Sequence, residues 1–101
     1  MSHTLEKVVT VCNPMGIHMR PADLLSRAAG RFKCEVWIEK DGQAIDGKSI
    51  MSILTLGARL GTQLNLRVSG VDAQQAMDAL CELFEQGFDE SDSEVASEQT
   101  N

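Results

Sequence analysis

A histidine and an arginine stand two residues apart, at the point where a helix is predicted to begin. The segment Gly16 to Ala22 reads GIHMRPA, in which His18 precedes Arg20 and Pro21. Proline suits the first turn of a helix, because its missing N–H is not needed there and its φ is already helical. The imidazole of His18 should therefore lie at a helix N-terminus, where free N–H groups and the helix dipole favour an anion.

The types of these side chains predict a nucleophile beside a phosphate site. Arg20 adds a permanent charge whose geometry suits phosphate. The positive field of the helix terminus disfavours imidazolium, so we expect His18 to be largely neutral near pH 7 and able to act as a nucleophile. Gly16 should let the chain turn sharply and leave open space beside His18. Taken alone, His18 could equally be an incidental loop histidine, but with Arg20 and the glycine we predict a histidine that carries a phosphoryl group.

The composition predicts one folded domain with an acidic extension. The chain has 101 residues, of which 43% are hydrophobic and 24% charged, and its net charge is −6. Residues 89–101 hold five acids and no base, which leaves a net charge of −1 for residues 1–88. We predict a domain over 1–88 and a disordered tail over 89–101. A nearly neutral body argues against general nucleic-acid binding.

Other features of the sequence predict a cytoplasmic protein without a metal or a cofactor. No apolar run approaches membrane-spanning length, and the first residues lack the features of a signal peptide. The cysteines Cys12, Cys34 and Cys81 are odd in number, lie far apart and match no metal-ligand spacing. Because all three lie in apolar patterns, we expect buried, reduced thiols.

Strand and helix patterns alternate along the chain. Alternating or β-branched segments predict four strands, over residues 5–12, 34–39, 43–46 and 64–69. Apolar residues at helical spacing predict three helices, over 19–30, over 50–56 and from Ala73 onward. Asp41-Gly42 predicts a tight hairpin, Ser49 an N-cap, and Asp72 with Gln75 a capping box. The order β-α-β-β-α-β-α favours an α+β fold, a four-stranded antiparallel sheet covered on one face by three helices.

Several segments resemble the HPr family, the histidine-containing phosphocarriers of the bacterial phosphoenolpyruvate-dependent sugar phosphotransferase system. The resemblance covers roughly residues 5 to 88 and rests on GIHMRPA at 16–22, KSIM at 48–51, Leu56-Gly57 and Gly61-Thr62. It implies an open-faced β-sandwich. It also implies that enzyme I, charged by phosphoenolpyruvate, phosphorylates Nδ1 of His18, that Arg20 steadies the phosphate, and that an EIIA domain of a sugar permease receives it. Such a carrier is a phosphoryl-transfer intermediate rather than a turnover enzyme.

The resemblance also implies a regulatory site at Ser49. Ser49 aligns with the serine that HPr kinase/phosphorylase modifies in many bacteria, although an N-cap serine needs no further role. We expect Met19, Lys48, Ile50 and Met51 to contact partners, with Met19 and Met51 outward and Leu54 inward.

Two functions of different class therefore stay open. One is a phosphoryl relay through His18. The other is a regulatory binding module controlled by Ser49, which acts on a transcription factor or a kinase without sugar transport. Nothing in the sequence demands more than a monomer.

Overall fold

The computed structural model describes residues 3–90 and has the predicted order of strands and helices. In chain order these are β1 (His3–Thr10), α1 (Met19–Gly30), β2 (Glu35–Lys40), β3 (Gln43–Asp46), α2 (Ile50–Leu54), β4 (Gln63–Gly70) and α3 (Ala73–Glu85), followed by a 3-10 turn (Gly87–Asp89). Asp89 and Glu90, which composition assigns to the tail, belong to this described structure. The rest of the predicted tail, 91–101, lies outside the described residues.

The four strands form one antiparallel sheet in the order β1-β4-β2-β3. Side chains alternate between its faces, and one face is buried beneath the helices through Val9, Val36, Ile38, Leu64, Leu66 and Val68. The other face carries polar pairs such as Asn65 and Glu6, whose side chains are hydrogen bonded at 2.9 Å. The predicted α+β class and the open-faced β-sandwich are confirmed.

The predicted hairpin and the predicted cap of α2 match the structure. Asp41 and Gly42 both have positive φ, 51° and 83°, as a two-residue hairpin of type I′ requires. The hydroxyl of Ser49 accepts a hydrogen bond from the Ser52 N–H at 3.2 Å, which confirms Ser49 as the N-cap of α2. Helix α2 is two residues shorter than predicted. Its fully buried residue is Ile53, whereas Leu54, expected inward, is only half-buried.

The capping box at the start of α3 is absent. Asp72 occupies the N-cap position of α3, but its carboxylate makes no cap hydrogen bond. It accepts instead from the backbone N–H groups of Lys33 at 2.8 Å and Cys34 at 2.9 Å. The bond from Lys33 is the largest of the influences that hold the pKa of Asp72 below its usual value. Asp72 therefore ties the start of α3 to the segment before β2.

The cysteines differ from one another in burial. Cys34 and Cys81 are buried as predicted, and burial raises the pKa of both thiols, which keeps them protonated. Cys12 is exposed, so its predicted burial was wrong. Strand β1 ends at Thr10, two residues before Cys12, whose thiol donates to the Phe84 carbonyl at 3.1 Å. Among residues 3–90, no helix has the length and apolar character needed to cross a membrane.

Helix α2 offers a matched test of which face supports the fold. We expect Ile53→Ala to lower the free energy of unfolding by about 2–5 kcal/mol, because a fully buried side chain leaves a cavity. Met51→Ala on the same helix should change it by less than about 0.5 kcal/mol, because Met51 is 71% exposed. Urea denaturation of both variants would check this. Equal losses would contradict the placement of α2.

Candidate functional site

His18 lies at the N-terminus of α1, as its position before Arg20 and Pro21 predicts. It is the N-cap residue of α1, with φ −95° and ψ −165°, and its carbonyl accepts the hydrogen bond from the Ala22 N–H at 3.0 Å. Its side chain is 35% exposed, so a partner protein can reach the ring. The N–H groups of the first turn lack partners within the helix and favour a negative charge here.

The loop before His18 is fixed by a close backbone contact rather than by open space. Gly16 has φ +70°, and a Cβ at this position would lie 2.6 Å from the carbonyl oxygen of Ala58. The next residue, Ile17, donates its N–H to that same oxygen at 2.9 Å. The expectation that Gly16 leaves space beside His18 was therefore wrong. Only glycine lets the loop approach the Ala58 segment this closely, and the contact helps to place His18 at the helix terminus.

The anion expected at this helix terminus is supplied by the protein itself, as the carboxylate of Glu90. One carboxylate oxygen lies 2.9 Å and the other 3.1 Å from Nε2 of His18. A terminal guanidinium nitrogen of Arg20 donates to the carboxylate at 3.3 Å and to the Phe88 carbonyl at 2.7 Å. The side chain of Glu90 is only 13% exposed. His18, Arg20 and Glu90 thus form one cluster.

The buried side chain of Asn13 holds the carboxylate of Glu90 from the interior of the protein. This residue is fully buried, and its amide nitrogen donates to the Gly16 carbonyl at 2.7 Å and to Glu90 at 2.9 Å. Partial burial by itself would raise the pKa of Glu90, but the hydrogen bonds from Asn13, His18 and Arg20 outweigh it and leave the pKa lowered. Glu90 is therefore an anion at neutral pH.

A left-handed turn after α3 delivers Glu90 to this place. Gly87, Phe88 and Asp89 have φ values of 60°, 56° and 61°, an uncommon run for residues other than glycine. Phe88 is fully buried and packs edge-on against Phe84, with ring centroids 5.0 Å apart. Burial of this ring offsets the backbone strain, which is of order 1 kcal/mol or more for each non-glycine residue.

Comparisons with known proteins agree with this arrangement. A family model described as "PTS HPr component phosphorylation site" matches residues 5–86. This chain belongs to the HPr family of phosphocarriers of the phosphotransferase system. "Phosphocarrier protein HPr" of Pseudomonas putida is 41% identical over 85 residues, which cover 83% of this chain and 94% of the relative. "HPr-like protein Crh" of Halalkalibacterium halodurans is 41% identical over 81 residues, covering 80% and 96%.

Solved HPr structures share the fold as well. A crystal structure of HPr-C-His from Thermoanaerobacter tengcongensis has a TM-score of 0.83 and 37% identity to this chain. The match covers 86% of this chain and 98% of that one. The predicted family and fold are therefore confirmed, and the roles of individual residues stay predictions.

The other residues of the predicted HPr site lie at the start of α2 and at its neighbour α1. Met19 and Met51 are 58% and 71% exposed, in the first turns of two helices that pack together. Ile50 is half-buried and packs against the core. Lys48 is exposed, but its ammonium group donates to the Phe32 carbonyl at 2.8 Å.

Asn13 and Glu90 are the site residues that sequence reasoning missed. Neither belongs to the motif at 16–22, and Glu90 was assigned to the acidic tail by composition. A weak signal for Glu90 exists, because an acid two residues after the last apolar position of the α3 stripe, Phe88, lies close to folded structure. Nothing in the sequence points to Asn13. Within residues 3–90, no group of His, Cys, Asp and Glu is arranged to hold a metal ion.

The charge on Glu90 should make part of the stability of the protein depend on pH. A folded-state pKa below the unfolded value contributes stability above the unfolded pKa, and this contribution is lost as the pH falls through the folded pKa. We expect the wild type to be more stable than Glu90→Gln near neutral pH, with the difference shrinking below about pH 4. Urea denaturation over a pH series would measure it.

Asp89→Asn is the matched control, because it removes an equal charge from an exposed neighbour. The difference in the free energy of unfolding between Asp89→Asn and the wild type should change less, as the pH falls, than the difference for Glu90→Gln. A Glu90→Gln difference that stays constant from about pH 7 to about pH 3 would show that Glu90 is not held as an anion.

Proposed function

We propose that this HPr-family protein accepts a phosphoryl group on His18 from enzyme I charged by phosphoenolpyruvate, and passes it to an EIIA domain of a sugar permease. The observation that supports this most strongly is the pairing of a partly exposed imidazole at the N-terminus of α1 with a guanidinium anchored beside it. In the part of the chain that the structure describes, Arg20 makes its side-chain hydrogen bonds through one terminal nitrogen. Its other donors can therefore bind a phosphate without the loss of that anchor.

Positioning and electrostatics supply most of what phosphoryl transfer requires. The nucleophile must lie in line with the bond that breaks, and the charge on the phosphoryl oxygens must be stabilised. The backbone contacts of the loop at Gly16 and the helix terminus hold His18, and Arg20 with the first-turn N–H groups supplies positive charge. A P–N bond on histidine keeps a high transfer potential, which a relay needs and a serine ester lacks.

The surface around the start of α2 suits short encounters with several partners. Met19 and Met51 present flexible, polarisable side chains to solvent, and such side chains adapt to different surfaces. We assign Met19, Lys48, Ile50 and Met51 to the docking of enzyme I and EIIA. Relay complexes of this kind use small interfaces, and the carrier acts as a monomer in the cytoplasm.

A second function, regulation through Ser49, is favoured by two observations. The chain is 41% identical to an HPr-like protein Crh, and Ser49 caps α2 next to the exposed Met51. A phosphate on Ser49 would add nearly two negative charges beside the proposed docking surface. This alternative makes the protein a binding module for a transcription factor or a kinase, with HPr kinase/phosphorylase as the modifying enzyme.

Labelled phosphoenolpyruvate with enzyme I tests the relay directly. We expect the wild type and Ser49→Ala to take up label and His18→Ala to take up none. Arg20→Lys should slow uptake by about 10²-fold, because a point charge does not replace the fork of the guanidinium. Rapid quench with autoradiography measures the rate. A wild type that takes up no label, or a His18→Ala variant that does, would refute the relay.

The role of Ser49 is tested by a charge placed at its position. Ser49→Asp should lower the rate of transfer from enzyme I by about 10-fold or more, because like charges across an interface oppose docking. Its thermal midpoint should stay close to that of the wild type, since aspartate also caps helices. Ser49→Asn, an uncharged cap, is the control. Equal rates for the two variants would remove the argument for a charge switch.

A further inference from the structure

We infer that Glu90 is a positioning residue for phosphoryl transfer, and that it holds His18 in the tautomer that leaves Nδ1 free to attack phosphorus. This inference rests on the proposed relay and extends it to a residue outside the motif. It arises from the contact of Glu90 with one ring nitrogen of His18, together with the two other donors, Asn13 and Arg20, that hold the carboxylate in place.

The contact decides where the ring proton lies. An ionised carboxylate only accepts hydrogen bonds, and both oxygens of Glu90 lie within 3.1 Å of Nε2 of His18. Nε2 must therefore carry a proton. In the neutral ring the lone pair is then on Nδ1. Among residues 3–90, no hydrogen bond of the His18 side chain involves Nδ1, so this nitrogen is available to a phosphoryl donor.

The carboxylate is itself held rigidly enough to orient the ring. The amide of Asn13 is fully buried and is fixed by the Gly16 carbonyl at 2.7 Å, while it donates to Glu90 at 2.9 Å. Arg20 contacts the other carboxylate oxygen and is anchored on the Phe88 carbonyl. Glu90 is thus tied to the loop before His18, to helix α1 and to the turn after α3. Rotation of the imidazole would break its bond to this fixed acceptor.

The proton on Nε2 stays in place throughout the transfer. The lone pair of Nδ1 forms a bond to the phosphorus of the donor, and the bond between phosphorus and the donor breaks with its electron pair leaving on the donor. No proton moves, so the ring of His18 becomes a positively charged phosphoimidazolium. The carboxylate of Glu90 lies where this charge develops and stabilises it. On transfer to an acceptor the electron pair of the N–P bond returns to Nδ1 and the ring is neutral again.

The ring state can be measured without any partner. In protein labelled with 15N at its histidines, we expect the Nε2–H tautomer of His18 to dominate at the alkaline end of a pH series, where a further rise in pH no longer changes the spectrum. Glu90→Ala should shift the two nitrogen resonances toward a tautomer mixture, and Asp89→Asn, which removes an equal charge next to Glu90, should leave them unchanged. The His18→Ala spectrum separates His18 from His3. A wild-type ring with the proton on Nδ1, or a Glu90→Ala spectrum like that of the wild type, overturns the inference.

The rate of phosphoryl uptake from enzyme I tests whether the tautomer of His18 affects transfer. We expect Glu90→Ala to take up phosphoryl groups from enzyme I about 10- to 100-fold more slowly than the wild type, the range that loss of one hydrogen bond to a charged group produces. Asp89→Asn should stay within about 2-fold of the wild type, as expected for an exposed charge outside the cluster of His18, Arg20 and Glu90. Circular dichroism confirms that both variants are folded. Faster uptake by Glu90→Ala would show that the carboxylate blocks the site and would overturn the inference.

Failure of the relay itself appears separately, as a wild type that takes up no label whichever tautomer its ring adopts.

Discussion

The site depends on one carboxylate, that of Glu90, which is bound by three side chains from one distant segment of the chain. Helix α1 has no acidic residue in its first turn, and Arg20 places a positive charge at the already positive end of the helix dipole. Without an anion, this cluster of charge would be unfavourable. Glu90 supplies the anion from a position 70 residues further along the chain than Arg20. The turn after α3, the burial of Phe88 and the buried amide of Asn13 all serve to hold that carboxylate.

The parts of the molecule that could be predicted are those decided by neighbours in sequence. The bounds of α1, the Asp41-Gly42 hairpin and the Ser49 cap each depend on residues within a few positions of one another, and the structure agrees with all three. Two of the errors concern contacts between distant segments. Gly16 packs against the backbone of Ala58, where open space was expected. The carboxylate of Asp72 accepts a hydrogen bond from the backbone before β2, where a helix cap was expected. Periodicity and propensity carry no information about which distant group a loop glycine or a cap residue will contact.

Acidic residues were the most difficult to interpret from sequence. The sequence predicts Asp72 as a helix cap and Glu90 as part of an acidic tail, because aspartate is common at helix N-termini and glutamate is common in disordered segments. In the structure they lie near the two ends of α3, and each joins that helix to another segment through an ionised carboxylate. Both have a lowered pKa for the same reason, since several donors converge on them. Composition describes the charge of a segment, but only tertiary structure shows which carboxylate is used.

In the proposed relay, the two ring nitrogens of His18 have different roles, so the site can hold an internal anion and still accept phosphate. An intramolecular carboxylate has a high effective concentration, so a carboxylate that occupied the reacting nitrogen would compete strongly with any donor protein. The Glu90 oxygens lie at Nε2, and the anchored nitrogen of Arg20 leaves its other donors free. The bound carboxylate and an incoming phosphoryl group can therefore share the cluster. In the proposed relay, this arrangement preorganises the nucleophile before the partner arrives, and preorganisation of charged groups is where most of the catalytic advantage in phosphoryl transfer comes from.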